Sequence, residues 1–370
     1  MKNFTKTILS IIAFVTAIVG YGQNITSVLI ESWETGAWAQ SAQSLYTYDG
    51  SGHPTSITTQ SWNTGTLAWD NTARIVYVNN PDGTAATATT QTWTTDWTDA
   101  QRTTFTYTAF AEVQTSTSEI WTGTEWFPMS KTTNSYDASQ WLVNELNQSW
   151  DFLGSAWANS TQTSYTNNAS GFVTQSTTQD WLAGTSSWVN SLRDTYTYNG
   201  ANHVTSSLEE TWTGSSWVNS QLDTNTYDAS GYLINALSQE WNTAGSNWTN
   251  SLQQMFTNNA QGKPVQVISQ SWNGTAWENV SRITFTYAPL SVTNHNRNLL
   301  SVAPNPASEN IVIRRGNLDE QTFYTIIDLS GRSITKGSLN AEETNVDINS
   351  LAPGYYLIQV GSTTLKLIKK

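Results

Sequence analysis

The stretch QDWLAGTSSWVNSLRDTYTY, residues 179–198, decides the fold. Two tryptophans, Trp181 and Trp188, bracket a short segment containing glycine, and polar and larger residues alternate on either side. The arrangement recurs along the chain. Leading tryptophans stand at Trp33, Trp62, Trp93, Trp121, Trp150, Trp181, Trp212, Trp241 and Trp272. Their partners Trp38, Trp69, Trp97, Trp126, Trp157, Trp188, Trp217, Trp248 and Trp277 follow four to seven residues later; only Trp141 is unpaired. A period of 28 to 31 residues marks a repeat architecture, in which each unit buries its apolar surface against its neighbours.

Each unit reads as two strands and two turns. Gln or Glu always stands two residues before the leading tryptophan, as in Glu31, Gln60 and Gln179, and shares its parity on an extended strand. The intervening Gly-containing segments have hairpin chemistry, because glycine accepts the positive φ of a tight reversal. The two tryptophans of a unit should then face each other. One step further out, Gln179 should meet Asn190 and Gln270 should meet Asn279, forming a ladder of amides.

Aromatics eight and ten residues after the second tryptophan, such as Tyr46, Tyr48, Tyr196 and Tyr198, share its parity. An uninterrupted strand would place them on the tryptophan face, and would place Arg74, Arg102, Lys131, Arg193 and Arg282, five residues after it, on the opposite one. A second turn of the form Asp228-Ala229-Ser230-Gly231 closes each unit. The fold class is therefore all-β: a long antiparallel meander of about nine two-strand repeats over residues 23–290. The alternation alone leaves open whether that sheet coils, spirals or closes.

The Tyr-Asp-x-x-Gly pattern is similar to the YD repeats of RHS-type surface proteins, whose strands spiral into a shell. The arginine that follows the glycine there is replaced here by His53, Phe172, Tyr232 or Lys263.

Residues 1–22 read as a secretory signal: Lys2 and Lys6 precede the apolar run Ile8 to Val19, with small residues near Gly20 and Gly22. That run is shorter than the roughly 20 residues of a membrane-spanning helix. Cysteine is absent, which removes disulfides, thiolate nucleophiles and Cys-based metal sites. Formal charge is −12; residues 24–290 hold 21 acids against 6 bases, whereas residues 297–370 hold 7 against 8. An acidic array repels phosphate backbones and anionic lipid surfaces, so neither nucleic acid nor a membrane is expected as partner.

The tryptophan pattern stops at a linker, residues 291–297. Beyond it, short alternating strands separated by Pro, Gly and Asn turns predict a small β-sandwich over residues 298–370. Pro304, Asn305 and Pro306 open this segment, Asp328-Leu329-Ser330-Gly331-Arg332 forms a turn, Gly354 and Tyr356 lie in a later strand, and Lys369-Lys370 end the chain. In order and spacing these motifs resemble the type A C-terminal sorting domain of the type IX secretion system. The resemblance implies transit through the Sec system, translocation by the type IX apparatus, removal of the domain, and a product that is released or attached at the outer-membrane surface. Pro304, Asn305, Pro306, Gly331, Arg332, Gly354 and Tyr356 carry it.

No catalytic constellation is expected. His53, His203 and His295 share no spacing, and the adjacent acids Glu209 and Glu210 point to opposite faces of a strand, so they cannot flank one glycosidic bond. The Asp-x-Ser-Gly turns lack the alternating acids of a calcium loop, and no metal or cofactor is expected. The tryptophans are both the natural core of a Thr-rich sheet and, where exposed, platforms for the apolar faces of sugars. Trp62, Trp69, Trp181, Trp188, Trp212, Trp217, Trp272 and Trp277 are the candidates for stacking on a polysaccharide. The expected protein is a non-catalytic adhesin or glycan-binding protein; the alternative is a purely structural surface fibre or shell.

Overall fold

The computed structural model describes residues 24–289, 301–314, 322–328, 333–339, 341–360 and 363–370. The signal segment, the linker, and Gly331, Arg332 and His295 lie outside the described residues. The chain divides into two units, Met1–Ala288 and Pro289–Lys370.

In the first unit eighteen strands run from β1 (Ile25–Glu34) to β18 (Trp277–Tyr287), each antiparallel to the next. The ring closes, because β18 pairs with β1 in the register Ile30↔Ile283 and Ser32↔Ser281. Closure leaves no unpaired sheet edge. Eighteen strands spaced about 4.8 Å apart give a perimeter of roughly 90 Å, and strand contacts of any extent are confined to neighbours in the ring. Side chains from opposite walls do not fill such a barrel, so it is hollow. The nine repeats form a ring where an RHS-type spiral would stay open.

The tryptophan hairpins obey the sequence reading. All nine pairs sit directly opposite, from Trp33↔Trp38 to Trp272↔Trp277. The strand that follows does not. In every hairpin the register slips by one just past the second tryptophan, as between Thr178↔Leu192 and Gln179↔Asn190, which leaves Ser191 without an opposite number. A one-residue bulge sends every later side chain to the other face. Two expectations are thereby corrected. Tyr46, Tyr48, Tyr196 and Tyr198 leave the tryptophan face, and Arg74, Arg102, Lys131, Arg193 and Arg282 join it.

Burial tells the two faces apart. Of the eight buried residues of the barrel, seven lie on the tyrosine face: Ile25, Val28, Ser176, Val267, Ser269, Ile283 and Phe285. A curved sheet crowds the side chains on its concave side, so this face turns to the lumen and the tryptophan face turns outward. The apolar cluster Ile25, Val28, Val267, Ile283 and Phe285, with Tyr46, Phe256 and Tyr287 packed on it, spans the junction of β18 and β1. The barrel thus places its buried apolar cluster where its first and last strands must zip together. Burial of the same kind raises the Tyr165 and Tyr287 hydroxyls to about 12 and lifts Tyr46 as well.

The far end of the barrel is held by five-residue turns. Asp228 Oδ1 accepts hydrogen bonds from the Ser230 and Tyr232 amides, and Asn168 and Asp137 repeat the pattern. The fourth turn residue has positive φ throughout, and at Gly83, Gly171, Gly231 and Gly262 a Cβ would also run into a ring of the preceding turn. Gly171, at φ +83°, lies under the indole of Trp141 from the preceding unit, so the lone tryptophan outside the pairs locks adjacent turns.

The second unit holds two small sheets. One comprises β19 (Ser301–Ala303), β20 (Asn310–Arg314) and β23 (Glu343–Asp347); the other β21 (Thr322–Asp328), β22 (Ser333–Leu339), β24 (Gly354–Val360) and β25 (Thr363–Lys369). Ile311, Ile313, Ile326, Ile348, Ile358 and Leu367 are fully buried in one core fed by both sheets, which makes a sandwich.

Candidate functional site: the outward tryptophan and amide ring

The nine indole pairs pack edge to face or tilted, with ring centroids 4.8–5.1 Å apart. This is the arrangement the ring quadrupole prefers. The rings of a pair therefore shield one edge and one face between them and leave the rest toward solvent; Trp33 is 37% exposed. All eight stacking candidates, Trp62, Trp69, Trp181, Trp188, Trp212, Trp217, Trp272 and Trp277, occupy such pairs on the outer face, and all eight are half-buried.

A polar belt runs beside them on the same face, with side-chain hydrogen bonds linking one repeat to the next at seven of the nine junctions. Its members are the residue five after the second tryptophan of one unit, then the Gln or Glu before the next unit's pair and the residue two after it, which is Asn or Asp except at Gln40 and Pro128. In three places the belt is a chain of neutral amides. Gln43 donates to Gln60 at 2.6 Å and Gln60 to Asn71 at 2.8 Å; Gln162 to Gln179 at 2.7 Å and Gln179 to Asn190 at 2.9 Å; Gln253 to Gln270 at 2.6 Å and Gln270 to Asn279 at 2.8 Å. The pairs Gln179–Asn190 and Gln270–Asn279 are those read from the sequence.

Elsewhere the first position is a base, apart from Leu222 after the seventh pair. Arg102 binds Glu119, Arg193 binds Glu210 and Arg282 binds Glu31, with closest contacts of 2.6–2.7 Å. These three ion pairs fall at every third junction of the ring: repeat three to four, six to seven, and nine back to one. Arg74 instead donates through Nε and Nη2 to Gln91, which donates onward to Asp99. Each of these four guanidiniums also lies over an indole of the next repeat. The distances to the ring centroid are 4.6 Å for Arg74 over Trp97 and Arg102 over Trp126, 4.8 Å for Arg193 over Trp217 and 5.1 Å for Arg282 over Trp38. Of the candidates, Trp217 is thus roofed by an arginine.

The sequence missed these bases because the bulge was not read. One signal for it exists: the residue three after the second tryptophan is Ser41, Thr72, Ala100, Ser160, Ser191, Ser220 or Ser251 in seven units, too small to need a place on either face. Among the described residues, the acids and histidines singled out in the sequence are not brought together. Glu210 is held by Arg193 on the outer face while Glu209 points inward beside Asp194. His53 and His203 sit in the closing turns. Among the described residues no group of three metal-ligating side chains comes together.

In the second unit the sorting motif has a structural role. The Asn305 side chain, between Pro304 and Pro306, donates to the Lys366 carbonyl at 2.6 Å and accepts from the Ile368 amide at 2.8 Å. Ala307 continues the clamp through its amide to Ile368 O and its carbonyl to the Lys370 amide. The opening of the domain therefore grips its last strand. Gly354 starts β24, and the Tyr356 hydroxyl donates to the Ala352 carbonyl at 2.9 Å.

Comparison with known proteins separates the two units. A search of curated proteins returns no match. Among solved structures, a porin-like protein from Bacteroides uniformis is 11% identical, covering 73% of this chain and 100% of that one, with a TM-score of 0.38. A porin-like protein from Bacteroides vulgatus is 11% identical over the same shares, with a TM-score of 0.30. PorZ, a surface component of the type-IX secretion system of Porphyromonas gingivalis, is 9% identical over 91% of this chain and 77% of its own, with a TM-score of 0.17. Residues 301–370 match the family model of the secretion system C-terminal sorting domain. That segment is a type IX sorting domain, and it marks the chain for export to the cell surface or beyond.

Proposed function

We propose that the exported barrel is a non-catalytic adhesin or glycan-binding protein that works through its outward tryptophan ring. One observation carries the reading: indole edges and faces share the convex surface with a polar belt that in three places is a chain of planar amides, side by side. Aromatic rings accept the apolar face of a pyranose, and amides exchange hydrogen bonds with its hydroxyls. The same belt argues against a barrel embedded in lipid. A lipid-facing surface needs a continuous apolar band, and the convex face here carries Arg, Glu, Gln and Asn at mid-strand. A glycan and polysaccharide array probed with the purified chain, followed by titration of tryptophan fluorescence, tests the proposal. Saturable binding that shifts the indole emission supports it; a blank array sinks it.

A second reading, a purely structural coat, is favoured by the mutual satisfaction of the ring. The indoles pack on each other and the belt amides bond to each other. It predicts self-association, or an adhesion defect on deletion, with no small ligand.

A further inference from the structure

Four repeats show what a planar group does at the ring. In them a guanidinium lies 4.6–5.1 Å above an indole centroid while its donors engage the neighbouring Gln or Glu. The seat above that indole therefore accepts a flat group of that size in contact with both the ring and the belt. Three repeats have the shorter Gln43, Gln162 or Gln253 at the same position. Each of these side chains turns to the adjacent glutamine, Gln60, Gln179 or Gln270, at 2.6–2.7 Å. The facing indoles of Trp69, Trp188 and Trp277 carry no cation among the described contacts and are partly exposed.

We infer that these three seats, Trp69 with Gln43–Gln60–Asn71, Trp188 with Gln162–Gln179–Asn190 and Trp277 with Gln253–Gln270–Asn279, are the sugar subsites of the barrel, and that they select uncharged glycans. The inference deepens the glycan-binding reading and rests on it. The pyranose occupies the place the guanidinium takes elsewhere, with its C–H face on the indole. Residues two apart on one face of a strand are about 7 Å from each other, which brings the ring hydroxyls to the amide chain. A Gln–Gln–Asn chain offers donors and acceptors without net charge, so it matches a neutral hexose; an acidic sugar would place its carboxylate against an array of net charge −15, and the guanidiniums that follow on the same strands, Arg74, Arg193 and Arg282, are already engaged by Gln91, Glu210 and Glu31. In the repeats with Arg102, Arg193 and Arg282 the seat is filled and its charge is already spent on Glu119, Glu210 and Glu31.

The test adds and removes guanidiniums. Gln43→Arg, Gln162→Arg and Gln253→Arg install the residue that Arg74 already presents to Gln91, so the fold has a precedent for each. Titration of tryptophan fluorescence with neutral and uronic-acid polysaccharides on the purified full chain should show binding of the neutral polymer alone. Each single substitution should remove about a third of the sites, and the triple variant should bind at least about tenfold more weakly with its melting temperature unchanged. Arg74→Gln combined with Asp99→Asn should add a site, since it rebuilds the uncharged chain there. If the parent binds neutral glycan and the triple variant binds it equally well, the seats are wrong while the glycan reading survives. Preference for the uronic polymer overturns the selectivity. No binding by the parent defeats the seats and the glycan reading together.

Discussion

Arg282 and Glu31 are 251 residues apart in sequence, yet they form a two-pronged ion pair, Nε to Oε2 at 2.6 Å and Nη2 to Oε1 at 2.7 Å. The same Arg–Glu pairing joins repeat three to four and six to seven, there with both donors on one carboxylate oxygen. The seam between the chain ends is thus one more repeat junction, and the ring closes with the grammar that builds it. The bond to Glu31 also holds the Arg282 guanidinium above its ordinary pKa.

Removing one partner should loosen that seam. Glu31 is buried and Arg282 mostly covered, so Arg282→Ala leaves a carboxylate short of its donors, and we expect a loss of about 1–3 kcal/mol in denaturant unfolding. Arg314→Ala breaks a pair that is more than half exposed on both sides and should cost less than about 1 kcal/mol. Equal effects would mean that the seam is no stronger than a surface contact.

The apolar side of the seam offers a sharper contrast. Ile283 is 2% exposed on the lumen face, and Ile283→Ala should cost about 2–5 kcal/mol. Val78, 58% exposed on the outer face, should tolerate Ala within about 0.5 kcal/mol. The absence of cysteine allows a direct check of closure. Ser32→Cys combined with Ser281→Cys should form an intramolecular disulfide on oxidation, since the two residues are direct partners. Only intermolecular products would contradict the closed ring.

Alkali should unfold the barrel from the inside. Burial favours the neutral phenols of Tyr165 and Tyr287, raising them from 10.0 to about 12. A folded-state pKa above the unfolded value means that this stability is whole below pH 10 and drains as pH climbs toward 12. Tyrosinate absorbance should therefore rise late and with unfolding, and Tyr165→Phe should flatten the stability loss over that window. Titration at pH 10 in a fully folded barrel would refute the burial argument.

At the other end of the chain, Asn305→Ala removes both side-chain bonds to β25 while leaving the core of the sandwich intact. Export should fall, with protein accumulating in the periplasm as it should when residues 298–370 are deleted. Surface delivery at the parent level would show that the grip on the last strand is dispensable for sorting.

Much of this was legible beforehand, for reasons visible in single residues. Trp181 and Trp188 recur at a fixed period with Gly184 between them, and only a hairpin array satisfies that spacing. Gln179 and Asn190 meet because pairing carries outward from the tryptophans by twos. The Pro304-Asn305-Pro306 opening was recognisable, although its hold on Lys366 and Ile368 was not. Parity failed at Ser191. One extra small residue exchanged the positions of Arg193 and Tyr196, and local periodicity carries no trace of a residue that fits either face. Closure was equally hidden, since the partnership of Ser32 with Ser281 depends on curvature accumulated over the whole ring and on no local motif.

The most direct measurement is a fluorescence titration of the purified full chain with a neutral polysaccharide, with and without the Gln43→Arg, Gln162→Arg and Gln253→Arg substitutions. The outward ring predicts a saturable shift of indole emission that the triple variant loses while it stays folded. A folded parent whose tryptophans ignore every polysaccharide would contradict it and leave the ring as the hoop that holds the barrel shut.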